Sequence, residues 1–281
     1  MTNIEWTDRT WNPIVGCSKI SPECVNCYAA DAAKSARLQQ FPQYQEVKEW
    51  KGKTTFVQSQ LLKPLSWKQP QKIFTCSMSD LFHENNPFNW IDKILGIMAL
   101  SSSEHHTFQI LTKRPHQMLM YFDYQQEFVD WVKFDRLGTA VNLRRRMPLQ
   151  NAWIGVSVGN QKAVERIPLL REAPAALRFL SCEPLLEEVK LNLTGIDWVI
   201  VGGESGSKAR PCHVDWIRSV VEQCKVAGVP VFVKQLGGYC INRQLYFKGE
   251  AGVPYRLKLK DHKGGNIEEW PEWLKVREFP K

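Results

Sequence analysis

The chain has 281 residues, of which 43% are hydrophobic and 23% charged, and its formal net charge is +8. Such a composition is typical of a folded globular protein, and no run of about eighteen apolar residues occurs, which excludes a membrane-spanning helix at the level of sequence. The first residues, MTNIEWTDRTWNP, lack the basic start and apolar run of a signal peptide, so we expect a cytoplasmic protein with reduced thiols.

The positive charge favours a polyanionic partner, because Lys and Arg side chains that neutralise phosphates release condensed counterions. The densest basic run is Arg144, Arg145 and Arg146, which we predict to contact nucleic acid. A solvated basic surface without a partner would give the same composition, so charge alone leaves the two interpretations open.

Six short apolar segments predict strands that are buried on both faces, as in a parallel sheet. A weaker first strand is expected at 10–16, where Pro13 fits only a strand start or an irregular edge. The six segments are 72–76, 107–112, 152–158, 177–182, 197–202 and 229–234.

Helical periodicity lies between several of these strands. It covers 89–103, 164–173 and 214–228, and Gly228 is a typical helix end. The gap at 183–196 is short, and we do not expect it to hold a full helix. This alternation predicts an α/β fold, a partial or complete parallel β/α (TIM-like) barrel of about seven strands, with an open doubly wound sheet as the alternative.

The chain after Gly238 is polar and ends in EEWPEWLKVREFPK. We therefore expect two parts. The first is a barrel domain at 1–238 that carries the cysteine loop, and the second is a C-terminal extension at 239–281 that packs on the barrel.

Chemistry in parallel β/α folds lies where strands end, because the following loops converge on one face. A single Ser or Asp at such a position is usually a turn residue or a helix cap. Charged residues with long side chains are poorer caps, so we predict a site on the face that Lys113, Glu183, Glu204 and Lys234 share. The other strand-end candidates are Ser77, Ser79, Asp80, Arg114, Ser157, Gly202, Gly203 and Arg210.

The eight cysteines call for an interpretation other than disulfides if the compartment is reducing. Cys17, Cys24 and Cys27 cluster in a polar loop after the first predicted strand, which favours metal binding or redox chemistry. The others are scattered in mostly apolar stretches and are predicted to be buried small side chains: Cys76, Cys182, Cys212, Cys224 and Cys240.

Three thiolates without a local fourth ligand favour an iron–sulfur cluster over zinc. Structural zinc normally has four protein ligands, and no histidine lies between residues 12 and 38. Zinc stays an alternative, because His83 or another cysteine would supply a distant fourth ligand. A cubane held by only three cysteines leaves one iron open to a small molecule.

The opening WNPIVGC…CVNCYA resembles the cysteine motif of radical S-adenosylmethionine (SAM) enzymes related to spore photoproduct lyase. Cys17, Cys24 and Cys27 match the cluster ligands of that motif, with six residues rather than three in the first gap, and Tyr28 follows as in that branch.

Further segments resemble more closely a phage-associated three-cysteine family that is predicted to be of radical SAM type. Members of that family occur with a partner protein that resembles a methyltransferase. The segments that carry the resemblance are IEWTDRTWNP, SMSDLF, LTKRP, GVSV, EPLL, IVGGESG, FVKQLGG and EWPEWLKVREFP.

The resemblance implies a [4Fe–4S] cluster on the three cysteines, an open iron that binds SAM, and a 5′-deoxyadenosyl radical that abstracts hydrogen from a substrate. The expected catalytic residues are Glu183, Glu204 and Lys234, and Arg114 and Arg210 are expected to contact the substrate or nucleic acid. The expected cofactor-binding residues are Tyr28, Ser77, Ser79, Asp80, Lys113, Ser157, Gly202 and Gly203.

Taken together, these features predict a radical SAM enzyme that modifies or repairs a nucleobase in DNA or RNA and requires an electron donor. A base in a duplex would have to be extruded to reach a buried radical. A small-molecule substrate is an alternative within the same chemistry. The alternative from another class is a zinc-bearing nucleic-acid-binding or adaptor protein without SAM chemistry.

Overall fold

The computed structural model describes residues 4–242 and 255–281. The strands in these ranges are β1 Arg9–Trp11, β2 Ile14–Val15, β3 Thr55–Phe56, β4 Lys72–Thr75, β5 Thr107–Thr112, β6 Trp131–Phe134, β7 Thr139–Asn142, β8 Ala152–Ser157, β9 Leu177–Cys182, β10 Trp198–Gly202, β11 Cys212–His213, β12 Val231–Gln235, β13 Cys240–Asn242 and β14 Tyr255–Arg256. The α-helices are α1 Tyr28–Ala33, α2 Pro42–Glu46, α3 Gln58–Leu61, α4 Phe88–Met98, α5 Pro115–Phe128, α6 Leu143–Arg146, α7 Arg166–Glu172 and α8 Val214–Ala227.

The chain divides into two compact units. The first contains residues 1–156 and 168–178, and the second contains residues 157–167 and 179–281. The main strands are parallel, with the order β1-β4-β5-β8 in the first unit and β9-β10-β12 in the second.

The first unit is built on apolar strands whose side chains are buried on both faces. Phe74 of β4 is opposite Thr10 of β1, and Ile110 of β5 is opposite Ile154 of β8. Helix α4 buries the apolar side predicted from its periodicity, and α5 buries a second set that includes Met118. A separate antiparallel hairpin, β6–β7, follows α5.

The second unit has a parallel core of aromatic and β-branched residues. Ile200 of β10 lies between Ser181 of β9 and Phe232 of β12 in the register of the sheet. Helix α8 buries Ile217 and Val221 along one side. The apolar strands and the amphipathic helix therefore close this core without disulfides.

The last residues of the chain pack in the second unit. The indole Nε1 of Trp198 donates to the carbonyl of Glu278 at 2.8 Å, and the ring of Phe279 stacks on Trp198 with centroids 5.4 Å apart. The backbone N–H of Val233 donates to the carbonyl of Val276. These contacts order the C-terminal residues against β10 and β12.

An α/β fold with about seven parallel strands is confirmed. The predictions for 107–112 and 177–182 agree with β5 and β9 at both ends, and helix α8 ends before Gly228 as predicted. The weak first strand is divided into β1 and β2, because Pro13 cannot donate to a sheet ladder. Closure into a TIM-like barrel and the domain division at residue 238 stay predictions.

Of the helices described, none combines the length and the apolar character that crossing a bilayer requires.

Candidate functional site

The loop that carries the three cysteines leaves the end of β2 and enters α1. Gly16 begins the loop with a φ of +93°, and Cys27 is the residue before α1. Cys17 and Cys27 both pack against a small apolar cluster that includes Val15 and Met78. The loop is therefore attached at both ends to buried structure of the first unit.

Residues after β4 hold the start of this loop. The N–H of Gly16 donates to the carbonyl of Met78 at 3.0 Å, and the Ser79 hydroxyl donates to the carbonyl of Gly16 at 2.6 Å. The Ser77 hydroxyl donates to Oδ1 of Asn12 at 3.1 Å. Of the serines predicted to bind cofactor, Ser79 thus fixes the backbone next to Cys17, and Ser77 holds the Asn12 side chain before β2.

Asp80 links the ends of β4 and β5. Its Oδ1 accepts from the Thr112 hydroxyl at 2.7 Å and from the N–H of Phe82 at 3.1 Å. Its Oδ2 accepts from the N–H of Lys113 at 2.9 Å and lies 3.4 Å from Nη1 of Arg114. Since Asp80 is only 5% exposed, these bonds compensate the cost of burying its carboxyl group.

Arg114 lies beside the sulfur of the first cysteine. Its Nη1 is 3.5 Å from Sγ of Cys17, and its Nη2 donates to the Ser18 hydroxyl at 2.8 Å. Its Nε donates to Oε2 of Glu84 at 2.6 Å. The guanidinium is buried and held by Asp80 and Glu84, so its direction relative to Cys17 is fixed.

The thiols of Cys17 and Cys24 have opposite pKa shifts. Burial, together with the nearby Asp80 charge, raises the pKa of Cys17 to about 12, although Arg114 acts in the other direction. Burial also raises the pKa of Cys24, but the positive charge of Lys113 and hydrogen bonds from Ser21 outweigh it, so the net shift is downward. Cys24 is therefore the thiol with more thiolate character near neutral pH.

This difference predicts how the metal-free protein reacts with iodoacetamide. Lys113→Gln is expected to slow alkylation of Cys24 several-fold at neutral pH, because loss of the positive charge raises the pKa of the thiol and lowers its thiolate fraction. The rate is measured for the Cys24 peptide by mass spectrometry at several pH values. Lys68→Gln makes the same charge change at an exposed position before the start of β4, at the other end of that strand from the cysteine loop, and is expected to leave the rate unchanged. An unchanged Cys24 rate in Lys113→Gln would contradict the assignment of Lys113.

His83, the distant zinc ligand considered from the sequence, is buried and has partners at both ring nitrogens. Its Nδ1 accepts from the N–H of Asn85 at 3.1 Å, so the neutral ring carries its proton on Nε2 and donates to the Ser18 hydroxyl at 3.0 Å. Burial, reinforced by the charge of Arg114, lowers the pKa of His83 and favours this neutral form. Zinc binding by His83 would replace one of these bonds.

The donor chemistry of the loop fits an iron–sulfur cluster. Thiolates are the usual ligands of such clusters, and positive groups lie next to Cys17 and Cys24. Among the residues that the structure describes, no three His, Cys, Asp or Glu side chains are already gathered as metal ligands. Binding would therefore require the loop to bring the three sulfur atoms together.

Tyr28 is the most exposed of the expected cofactor-binding residues in this unit. The residue is 55% exposed, and its hydroxyl donates to the carbonyl of Ser77 at 2.7 Å. The structure thus brings together the loop cysteines with the predicted residues Tyr28, Ser77, Ser79, Asp80, Lys113 and Arg114.

The predicted residues of the second unit form two ion pairs. Nζ of Lys234 lies 2.6 Å from Oε1 of Glu183, and both side chains are largely buried. Nη2 and Nε of Arg210 donate to the carboxylate of Glu204 at 2.7 and 2.9 Å. Each pair neutralises its own charge. Convergence of these residues with the cysteine loop stays a prediction.

The remaining strand-end residues of the second unit have structural contacts. The carbonyl of Ser157 accepts from Nη1 of Arg166 at 2.7 Å. A Cβ atom on Gly202 would lie 2.8 Å from the carbonyl of Gln235, and one on Gly203 would lie 2.3 Å from the carbonyl of Leu236. The backbone after β12 therefore lies so close to Gly203 that a side chain would not fit there. This contact explains the glycine without a cofactor.

The basic run is partly neutralised. Arg144 forms an ion pair with Asp130 at 3.3 Å, and Arg146 forms one with Glu104 at 2.8 Å. The backbone N–H of Arg145 donates to Oδ1 of Asn142, and its side chain is exposed.

Sequence reasoning missed three members of the network around Cys17: Asn12, Ser18 and Glu84. Asn12 and Ser18 lie within five positions of Cys17, and Glu84 lies four positions after Asp80. Their proximity to predicted site residues was the available signal. It did not show that Asn12 would bond to Ser77, or that Ser18 and Glu84 would bond to Arg114.

A family model described as "Protein of unknown function (DUF5131)" matches residues 1–269 of the chain. No curated protein and no solved structure matches the chain. Since the match covers nearly the whole chain, including the cysteine loop and both ion pairs of the second unit, the protein belongs to the DUF5131 family.

Proposed function

We propose that the protein is a radical SAM enzyme that modifies or repairs a nucleobase in DNA or RNA, with Cys17, Cys24 and Cys27 as ligands of a [4Fe–4S] cluster. The observation that carries this proposal is the placement of positive groups against the loop thiols. Nη1 of Arg114 lies 3.5 Å from Sγ of Cys17, and the charge of Lys113 lowers the pKa of Cys24.

Positive side chains next to these sulfurs act in favour of thiolate ligands. The net pKa shift is downward at Cys24, whereas at Cys17 burial outweighs the effect of Arg114. Three thiolates in one loop repel each other, and a nearby guanidinium or ammonium reduces that repulsion. When bound, a cluster with an open iron supplies the electron for reductive cleavage of SAM to a 5′-deoxyadenosyl radical. The chain supplies the ligands, their orientation and the exclusion of water.

The residues after β4 and β5 are proposed to bind SAM from the protein side. Asp80 fixes the backbone of Lys113 and the guanidinium of Arg114, and the hydroxyl of Tyr28 donates to the carbonyl of Ser77. The ring of Tyr28 is exposed next to the cysteine loop, which suits contact with a planar adenine. Ser79 acts through the backbone of Gly16, and Ser77 acts through its contacts with Asn12 and Tyr28. Ser157, Gly202 and Gly203 belong to the same proposal.

Glu183, Glu204 and Lys234 are proposed as the acid–base groups of the substrate side. The Glu183–Lys234 pair is short and largely buried, so each group fixes the direction in which the other would meet a substrate group. Arg210 orients the Glu204 carboxylate through two hydrogen bonds. This role requires the TIM-like barrel predicted from the sequence, in which the strand ends of both units share one face.

Further parts of the proposal concern location and partners. Thiol ligands require a reducing compartment, which supports a cytoplasmic location. An electron donor must deliver the electron for SAM cleavage, and the resemblance to the phage-associated family suggests a methyltransferase-like partner protein. The net charge of +8 supports nucleic acid as the substrate.

The test is anaerobic reconstitution with iron and sulfide, followed by reduction in the presence of SAM. We expect a brown protein with about four irons per chain that releases 5′-deoxyadenosine. Alanine at Cys17, Cys24 or Cys27 should abolish both iron binding and release, whereas Cys182→Ala, a buried cysteine of the second unit, should retain them. A colourless protein with about one zinc per chain, or a loaded cluster without 5′-deoxyadenosine, would reject the proposal and favour the zinc-bearing adaptor.

A further inference from the structure

Large aromatic side chains are exposed where α5 ends and the β6–β7 hairpin begins. Phe128, the last residue of α5, is 65% exposed, and Trp131, the first residue of β6, is 60% exposed. The ring of Tyr124 lies 5.5 Å from that of Phe128. Exposed aromatic residues that are close together in the chain and in space are a common feature of binding surfaces.

The hairpin holds Trp131 in a defined direction. Val132, Phe134 and Val141 are buried, and the first two lie beside Gly96 of α4. Because side chains alternate along a strand, Trp131 and Lys133 share the opposite, exposed face. The hairpin is therefore attached to the core by one face and presents an aromatic ring and an ammonium group on the other.

Arginines adjoin this face. Residue Asn142, opposite Trp131 in the hairpin, is the cap of the short helix that carries the basic run, and its Oδ1 accepts from the N–H of Arg145 at 2.9 Å. Arg144 donates to the carbonyl of Glu127, next to Phe128, at 2.7 Å. Arg144 thus ties the basic run to the end of α5 while the Arg145 side chain stays exposed.

We propose that Phe128, Trp131, Lys133 and Arg145, here called the hairpin surface, bind a single-stranded nucleic acid. Every base has a planar face that stacks on an aromatic ring, and Lys and Arg neutralise the phosphates between bases. A duplex presents stacked bases whose faces are not available to Trp131 or Phe128. The positive net charge of the chain favours a polyanion. The exposed rings favour a nucleic acid over an acidic protein segment, because a single strand offers a planar base beside each phosphate.

This proposal goes beyond the radical SAM activity and does not require the cluster. Binding to the hairpin surface depends on residues of the folded first unit alone, none of which belongs to the cysteine loop. The metal-free Cys17→Ala protein is therefore expected to bind single strands as the wild type does. Loss of 5′-deoxyadenosine formation and loss of single-strand binding are thus separate results, and each rejects only its own proposal.

The test measures fluorescence anisotropy of a labelled single strand of about twelve thymidines with the full-length protein. Trp131→Ala is expected to weaken binding about 5- to 100-fold, as loss of one stacked base predicts. Phe41→Ala, which removes another half-exposed aromatic ring of the first unit, is the control and should bind normally. Circular dichroism verifies that both variants are folded.

Salt dependence tests the basic part of the surface. Arg145→Ala is expected to reduce the slope of log affinity against log salt by about 0.7, whereas Arg37→Ala, an exposed arginine elsewhere in the first unit, should leave the slope unchanged. Wild-type affinity in Trp131→Ala, or tighter binding of a duplex of the same length, would overturn the proposal. So would a change of oligomeric mass in Trp131→Ala by sedimentation, because the surface would then contact a second copy of the chain.

Discussion

Replacement of Asp80 by asparagine is expected to lower the free energy of unfolding by about 3 kcal/mol. The carboxylate accepts from the Thr112 hydroxyl and from the N–H groups of Phe82 and Lys113, and it faces the guanidinium of Arg114. An amide has only one acceptor atom, so in either orientation its NH2 group meets an N–H donor. Arg114 also loses one of the two carboxylates that compensate its burial.

Urea unfolding followed by tryptophan fluorescence measures this loss. Asp123→Asn makes the same chemical change at an exposed position of α5 and is expected to change stability by less than about 0.5 kcal/mol. If Asp80→Asn and Asp123→Asn had the same midpoint, Asp80 would not be the residue that fixes the ends of β4 and β5.

The parallel strands were predictable because they are buried on both faces. Such positions favour a short, mainly apolar run, and the predictions for 107–112 and 177–182 agree with β5 and β9 at both ends. The same reasoning applies to the five scattered cysteines, all of which are buried, as predicted. A segment that is buried on all sides can be recognised from its own apolar composition, without knowledge of the segments that it packs against.

Helix α5 was not predicted because its pattern is mixed. The buried positions Met118, Tyr121, Phe122 and Gln125 follow helical spacing, but one of them is polar. Apolar Met120 and Phe128 are exposed on the other side of the same helix. The alternation of apolar and polar residues that identifies an amphipathic helix is therefore absent from the sequence.

The position of site residues was partly predictable, and their pairing was not. The rule that parallel strands end on one face located Asp80 after β4 and Lys113 after β5, and the structure joins them. The choice of Glu84 as a second partner of Arg114 depends on side-chain rotamers and on the turn after Asp80. Such choices are made by contacts between segments about thirty residues apart in the chain, and no local pattern encodes them.

Gly16→Ala tests how tightly the start of the cysteine loop is packed, and we expect a loss of about 3–5 kcal/mol. A Cβ atom at this position would lie 2.2 Å from the carbonyl of Lys53 and 2.6 Å from Cγ1 of Val47, at a φ of +93°. Val47 has little room to move, because it is buried in the apolar cluster on which Cys17 and Cys27 pack.

Gly138→Ala separates the two causes of that loss. Gly138 also has a positive φ, +59°, but a Cβ atom there would meet nothing within 4 Å. It is therefore expected to cost only about 1 kcal/mol, the conformational part alone. Urea unfolding midpoints of both variants give the comparison, and equal losses would show that the chain at Lys53 yields to a side chain at Gly16. A larger loss in Gly16→Ala means that the backbone entering Cys17 is set by steric contact, so the first sulfur is positioned before any ligand binds.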